Sequence, residues 1–188
     1  MRTFYKEYCS DLTAVLAALD INNLEKILKL IEDSYESQKT IYLIGNGGSS
    51  ATASHWVCDF AKGINVPNAK RMSIFCLSDN IPLLSAIAND ISYDKTFSEQ
   101  LINCIKPGDI LISLTVSGNS QNLINAHIAA HEMGAHTAAI VGDYNGRLAG
   151  YSDITLVVPS RNYGVVEDVH SIVGHLISQY IKRKNSDN

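Results

Sequence analysis

The sequence predicts a doubly wound α/β domain: a five-stranded parallel sheet flanked by helices, with two further helices at its N-terminus. Short apolar runs alternate with longer stretches of helical periodicity, the pattern of a parallel sheet covered on both faces. Turn residues part them, as in Lys106-Pro107-Gly108-Asp109 and Met133-Gly134. Two strand-to-helix junctions, at 45–50 and 115–120, are rich in glycine and hydroxyl side chains.

The elements follow in order. Residues 3–36 read as two helices separated near Asp20-Ile21-Asn22-Asn23; in the second, Leu24, Ile27, Leu28 and Ile31 recur at helical spacing. The α/β core spans 40–182, with strands expected at 40–45, 72–77, 109–114, 137–142 and 154–158. Helices are expected at about 49–62, 82–88, 93–105 and 121–133, and a last one from about Val165 to Lys182. Only a short polar tail, Lys182 to Asn188, is left over. At 188 residues, 1–188 forms a single domain with a substantial core.

Composition narrows the function classes. Fifteen Lys and Arg against 19 Asp and Glu give a net charge of −4, and no basic stripe suggests direct contact with nucleic acid. No apolar run approaches the roughly 20 residues that span a bilayer, and Met1 to Glu7 lack the apolar core of a signal peptide. Cys9, Cys58, Cys76 and Cys104 are scattered without a CxxC pair, as expected of reduced thiols in a cytoplasmic protein.

The chemistry begins at Ile41-Tyr42-Leu43-Ile44-Gly45-Asn46-Gly47-Gly48-Ser49-Ser50. A strand runs into a glycine turn, and the serines and free amides that open the next helix can hold a phosphate or sugar oxygen without a lysine. Thr115-Val116-Ser117-Gly118-Asn119-Ser120 repeats the arrangement after a second strand. Ligands of open α/β sheets sit beyond the strand carboxyl ends, so two such loops can close on one anion. GxxxxGK[ST] is missing, which argues against a P-loop, and the first loop lacks the third glycine of GxGxxG. Taken singly, either loop also reads as an ordinary turn with N-cap serines.

Two helices carry titratable groups at matching spacing. His55 and Asp59 are four residues apart and share a face, as do Glu167, Ser171 and His175 on the last helix. Two histidines and two carboxylates converging on one point could bind one zinc or a similar divalent ion. Blander readings stay open: a structural His55 beside Trp56, a solvated Asp59, and a Glu167 that favours a helix dipole. His127, His131 and His136 read as surface or packing residues, and His170 as structural.

Gly45 to Ser49 with His55, Asn89-Asp90, Ser117 to Ser120, Gly142 through Gly150 and the His170–His175 helix recur in an order that resembles the phosphoheptose isomerases of the sugar-isomerase (SIS) domain superfamily. The resemblance covers nearly the whole chain. It implies interconversion of sedoheptulose 7-phosphate and D-glycero-D-manno-heptose 7-phosphate, early in surface-heptose synthesis, by a homotetramer. It implies that Ser49, Thr115, Ser117 and Ser120 hold the phosphate, with Asn46, Gly47 and Asp90 lining the sugar pocket and Glu167 beside the substrate. His55, Asp59, Glu167 and His175 would be the metal set, with Asp59 as base and His175 as its acid partner. Such an isomerisation moves a proton between carbons flanking a carbonyl, through an enediolate whose charge needs a fixed donor or cation.

The chain departs from the family pattern where chemistry is concerned. Aspartate stands at 59 in place of the usual glutamate, glutamate at 167 in place of glutamine, and Val165 in place of an arginine. Val116 removes a hydroxyl from the second loop. These changes leave open an isomerase of another phosphosugar. They also leave open a non-catalytic sensor or adaptor like the superfamily relative that binds the replication initiator DnaA.

Overall fold

A computed structural model describes residues 1–67 and 69–186. Two helices, α1 (Arg2–Ala17) and α2 (Ile21–Ser37), precede the sheet. The break between them is set by Asp20, whose carboxylate accepts from the backbone of Asn22 and Asn23 and caps α2. The core then alternates: β1 (Thr40–Ile44), α3 (Gly48–Cys58), β2 (Ser73–Cys76), α4 (Ile81–Asp90), α5 (Ser98–Cys104), β3 (Ile110–Thr115), α6 (Gln121–Glu132), β4 (His136–Gly142), β5 (Ile154–Val158) and α7 (Tyr163–Ser186).

The five strands are all parallel, in the order β2-β1-β3-β4-β5. The strand order therefore reverses between β1 and β3, and the loops leaving those two strands diverge over a crevice. Both glycine-rich loops lie at that switch point.

Alternation along each strand feeds two cores. Ile41 and Leu43 of β1 and Ile110, Ile112 and Leu114 of β3 face one layer, packed against α1, α2, α3 and α7 through Val15, Ile27, Ile31, Trp56, Val165 and Val169. Tyr42, Ile44 and Leu111 face the other, against Phe97 and Leu101 of α5 and Leu123 and Ile124 of α6. Each such fully buried side chain contributes about 1.5–3 kcal/mol.

Three expected elements differ. The helix expected over 93–105 is a 3₁₀ turn, Tyr93–Lys95, followed by α5. The Thr96 hydroxyl donates to the Tyr93 carbonyl and competes with the helix there. The helix expected over 49–62 is α3 continued by a π-turn, Asp59–Gly63, in which the Ile64 amide reaches the Asp59 carbonyl at 3.1 Å. The last helix starts at Tyr163, so Glu167 lies in its second turn, and it runs on through most of the expected polar tail. Residues 187 and 188 of that tail lie outside the described residues.

Candidate active site

The first loop is built to bring backbone close to a ligand. Gly47 adopts φ +54° just before α3, a conformation that disfavours any side chain. The second loop turns at Gly118, φ +63°, and Gly146 packs so tightly on it that an added Cβ would lie 2.6 Å from the Gly118 Cα. This contact explains Gly146, and at Gly142 an added Cβ would lie 2.7 Å from the Val116 carbonyl oxygen, so these two glycines let a third loop brace the second, whereas Gly150 faces open space.

Asn46, Gly47, Gly48, Ser49, Thr115, Val116, Ser117, Ser120, Tyr163 and Glu167 line one cavity of about 290 Å³ between the loops. Thr115 Oγ1 accepts from the Gly118 amide and Ser117 Oγ from the Asn119 amide, both at 3.3 Å. Each hydroxyl proton remains free to donate into the cavity. Ser120 caps α6 through its backbone and makes no side-chain cap bond, which leaves its hydroxyl to the cavity as well. A larger hollow of 580 Å³ beside Tyr35, Val66 and Lys70 lies at the opposite, N-terminal end of β1 and β2 and gathers no histidine.

Asn46 is held by residues the sequence did not single out. It exchanges two amide hydrogen bonds with buried Asn122 on α6, at 3.0 and 2.9 Å. Its Oδ1 also accepts from Tyr93 Oη at 2.9 Å. Asp90 does not line the cavity; it ends α4, and its carboxylate accepts from Asn89 at 2.8 Å.

The titratable group forms where α3 meets α7. His55 Nε2 and His175 Nε2 are 3.0 Å apart, and Asp59 Oδ2 stands 3.5 Å from each. These three residues can offer one ligand atom each to a common ion. Asp59 Oδ2 is shielded from water and has no hydrogen-bond donor, which is costly for a carboxylate oxygen without a cation. Tetrahedral ligation at 2.0–2.1 Å spaces ligand atoms about 3.3–3.4 Å apart, close to this triangle. The residues present therefore fit a divalent ion with a fourth position open. Phe60, fully buried against Trp56 with ring centroids 5.6 Å apart, anchors the π-turn beside Asp59.

Glu167 is not part of this group. It precedes His175 by eight residues, about 12 Å of helix, and its carboxylate lies over Gly48, where an added Cβ would meet Oε1 at 2.6 Å. Sharing one face of α7 puts Glu167 and His175 in line without bringing them to one point. Burial pushes His170 down to about 4, and neither ring nitrogen makes a full hydrogen bond, the Ile140 carbonyl offering only a weak contact. His127 is likewise held down to about 4 by burial, with Nε2 2.7 Å from Ser113 Oγ. Both are packing residues.

A hydroxyl-lined cavity at a β1/β3 switch point, with a histidine–carboxylate cluster two turns along the adjoining helix, defines a SIS-domain protein. The SIS domain family profile matches residues 4–142. The phosphoheptose isomerase of Sulfurimonas denitrificans is 37% identical over 87% of this chain and 84% of its own. The structure of phosphoheptose isomerase from Neisseria gonorrhoeae superposes with a TM-score of 0.87 at 26% identity, covering 97% of this chain and 96% of that one. The Francisella tularensis structure gives 0.85 at 22% identity, with the same coverage of 97% and 96%, and supports the fold. The chain belongs to the phosphoheptose isomerase family.

Proposed function

We propose that the chain interconverts sedoheptulose 7-phosphate and D-glycero-D-manno-heptose 7-phosphate, as an aldose–ketose isomerase working through an enediolate. The observation that carries this reading is the separation of the two centres. Gly48 opens α3 at the loop cavity, and His55 follows seven residues later, about 10 Å along the axis. A substrate with its phosphate at one end and its carbonyl at the other suits that distance.

Ser49, Thr115, Ser117 and Ser120 donate to the phosphate, and Asn46 and Gly47 offer polar groups to the sugar chain. Asp90 is assigned to the sugar from the family resemblance. Asp59 takes the proton from the carbon next to the carbonyl, and His175 returns one to the neighbouring carbon or oxygen. His55, Asp59 and His175 would hold zinc, which when bound supplies positive charge against the developing enediolate. The orphaned Asp59 oxygen and the family of the chain favour this reading over a non-catalytic adaptor.

The chain assembles as a homotetramer and works in the cytoplasm. Support for assembly comes from apolar side chains left exposed on α1, α2 and α7, among them Phe4, Tyr5, Ile21, Leu176 and Tyr180. No helix among the described residues is long and apolar enough to cross a membrane. Incubation of sedoheptulose 7-phosphate with the protein, as purified and with added zinc, tests the activity: aldose product is expected. Light scattering tests the assembly.

A further inference from the structure

We propose that Asn145 is a site of spontaneous covalent modification. Its side-chain amide closes on the backbone nitrogen of Gly146, and the ring opens to aspartate or isoaspartate, which loosens the brace on the second loop. The inference stands whichever sugar the chain converts.

Two Asn-Gly pairs occur in the chain, Asn46-Gly47 and Asn145-Gly146, and the fold treats them oppositely. Glycine after asparagine leaves no Cβ to shield the attacking nitrogen. Asn46 is tied by Asn122 at 3.0 and 2.9 Å and by Tyr93 at 2.9 Å, which fixes its amide. Asn119, followed by serine, is held at both ends of its amide, by the Ser117 carbonyl at 3.2 Å and the Arg147 amide at 3.1 Å. Asn145 is exposed at φ +53°, and its side chain makes no hydrogen bond to any described residue. The Gly146 amide is equally untied among the described residues.

The Gly146 nitrogen, having lost its proton to hydroxide, attacks Asn145 Cγ. A C–N bond forms there as the side-chain nitrogen leaves as ammonia. Water then adds to one carbonyl of the cyclic imide and breaks one of its C–N bonds. Opening at one carbonyl gives aspartate; opening at the other gives isoaspartate, whose backbone runs through the side chain and is one methylene longer. The backbone just downstream has no slack. Gly146 abuts Gly118 and the Ser117 carbonyl so closely that no Cβ fits. The Arg147 amide donates to Asn119 Oδ1 at 3.1 Å, and the Leu148 amide to the Gly118 carbonyl at 2.9 Å. An extra backbone carbon directly before these contacts displaces Gly146 and frees the second loop.

Ageing of the full chain in mildly alkaline buffer, followed by peptide mass spectrometry, tests the proposal. The peptide carrying Asn145 should show the mass change of an amide turned to an acid. Part of it should accept a methyl group from S-adenosylmethionine through protein-isoaspartate methyltransferase. Asn46 and Asn119 should lag by on the order of tenfold or more, because their hydrogen bonds must break first. Asn145→Gly suits the positive φ and has no side-chain amide, so that loop should stay unmodified. The thermal midpoint of the wild-type protein should fall during ageing while that of Asn145→Gly holds. Methyltransferase repair returns isoaspartate to aspartate, and with it the ordinary backbone length, so it should recover the wild-type midpoint. An unmodified Asn145, or modification of Asn46 at the same rate, overturns the proposal. An equal fall in midpoint for the wild-type protein and Asn145→Gly overturns the loosened brace.

Discussion

Asn46 and Asn122 exchange two side-chain hydrogen bonds across the β1/β3 crevice, Asn46 Nδ2 to Asn122 Oδ1 and Asn122 Nδ2 to Asn46 Oδ1. The pair ties the first loop to the start of α6, so that the two phosphate-facing loops are set by one contact. Asn122 is also bonded to Thr96 Oγ1 at 3.3 Å, which draws the 3₁₀ turn into the same network.

Replacing Asn122 by leucine therefore strands polar atoms of Asn46 and Thr96. A buried group left unpaired costs about 1–3 kcal/mol, and denaturant unfolding should show a loss of that size. Misplacement of Asn46 should raise KM in steady-state assays. An unchanged KM would mean that the pair only fastens the loops.

His55→Ala and His175→Ala each remove one ligand atom from the triangle. Elemental analysis should find divalent metal lost from both variants. For His175→Ala, loss of a proton-transfer group should lower kcat by about 100- to 10,000-fold. Metal content unchanged in both variants would remove the metal assignment while leaving the acid–base roles to be read from kcat.

Trp56 donates its Nε1–H to the His170 carbonyl at 3.1 Å and packs against Gly174, where a Cβ would come within 2.2 Å of Nε1. Both facing atoms belong to rigid groups, so Gly174→Ala should cost about 1–3 kcal/mol by overpacking. Trp56→Ala should cost about 3–5 kcal/mol by leaving a cavity. Thermal or denaturant unfolding measures both, and a neutral Gly174→Ala would show that α3 and α7 can slide apart. Because these helices also carry His55 and His175, a slide would register as lost activity.

Stability should fall on mild acidification. His127 and His170 are both held to about 4 in the folded protein by burial, below the ordinary value of 6.5. Between those values the unfolded chain binds more protons than the folded one, so unfolding free energy rises with pH across that window. The contribution is full above about pH 6.5 and lost progressively toward pH 4, on the order of 3 kcal/mol for each residue. Unfolding midpoints between pH 7 and 4.5 check this, and His127→Gln should flatten the slope whatever it does to the midpoint.

What was legible in the sequence follows from range of interaction. Strand alternation and glycine–serine junctions are local, so the sheet and both loops could be read directly. The i,i+4 spacing of His55 and Asp59 placed them on one helix face, and the His175 helix met them as expected. Glu167 shares a face of the last helix with His175, but a shared face says nothing about distance along the axis, and the cluster that forms holds His55, Asp59 and His175. Asn122 carried no local mark: at the start of a helix it looks like a solvated residue, and its partner Asn46 lies 76 residues away. The break at Thr96 was hidden for the same reason, since a hydroxyl that competes with the helix looks no different in sequence from one that does not. Tyr163 was missed because the last helix begins a half-turn earlier than its apolar pattern suggests.

The most direct measurement is NMR of sedoheptulose 7-phosphate incubated with the protein and zinc in D₂O. The expected result is an aldose product carrying deuterium at C2, which only an exchange-competent enediolate can supply. Binding of the phosphosugar with neither conversion nor exchange would contradict it and leave the Asp59 and Glu167 substitutions as the marks of a site that no longer catalyses.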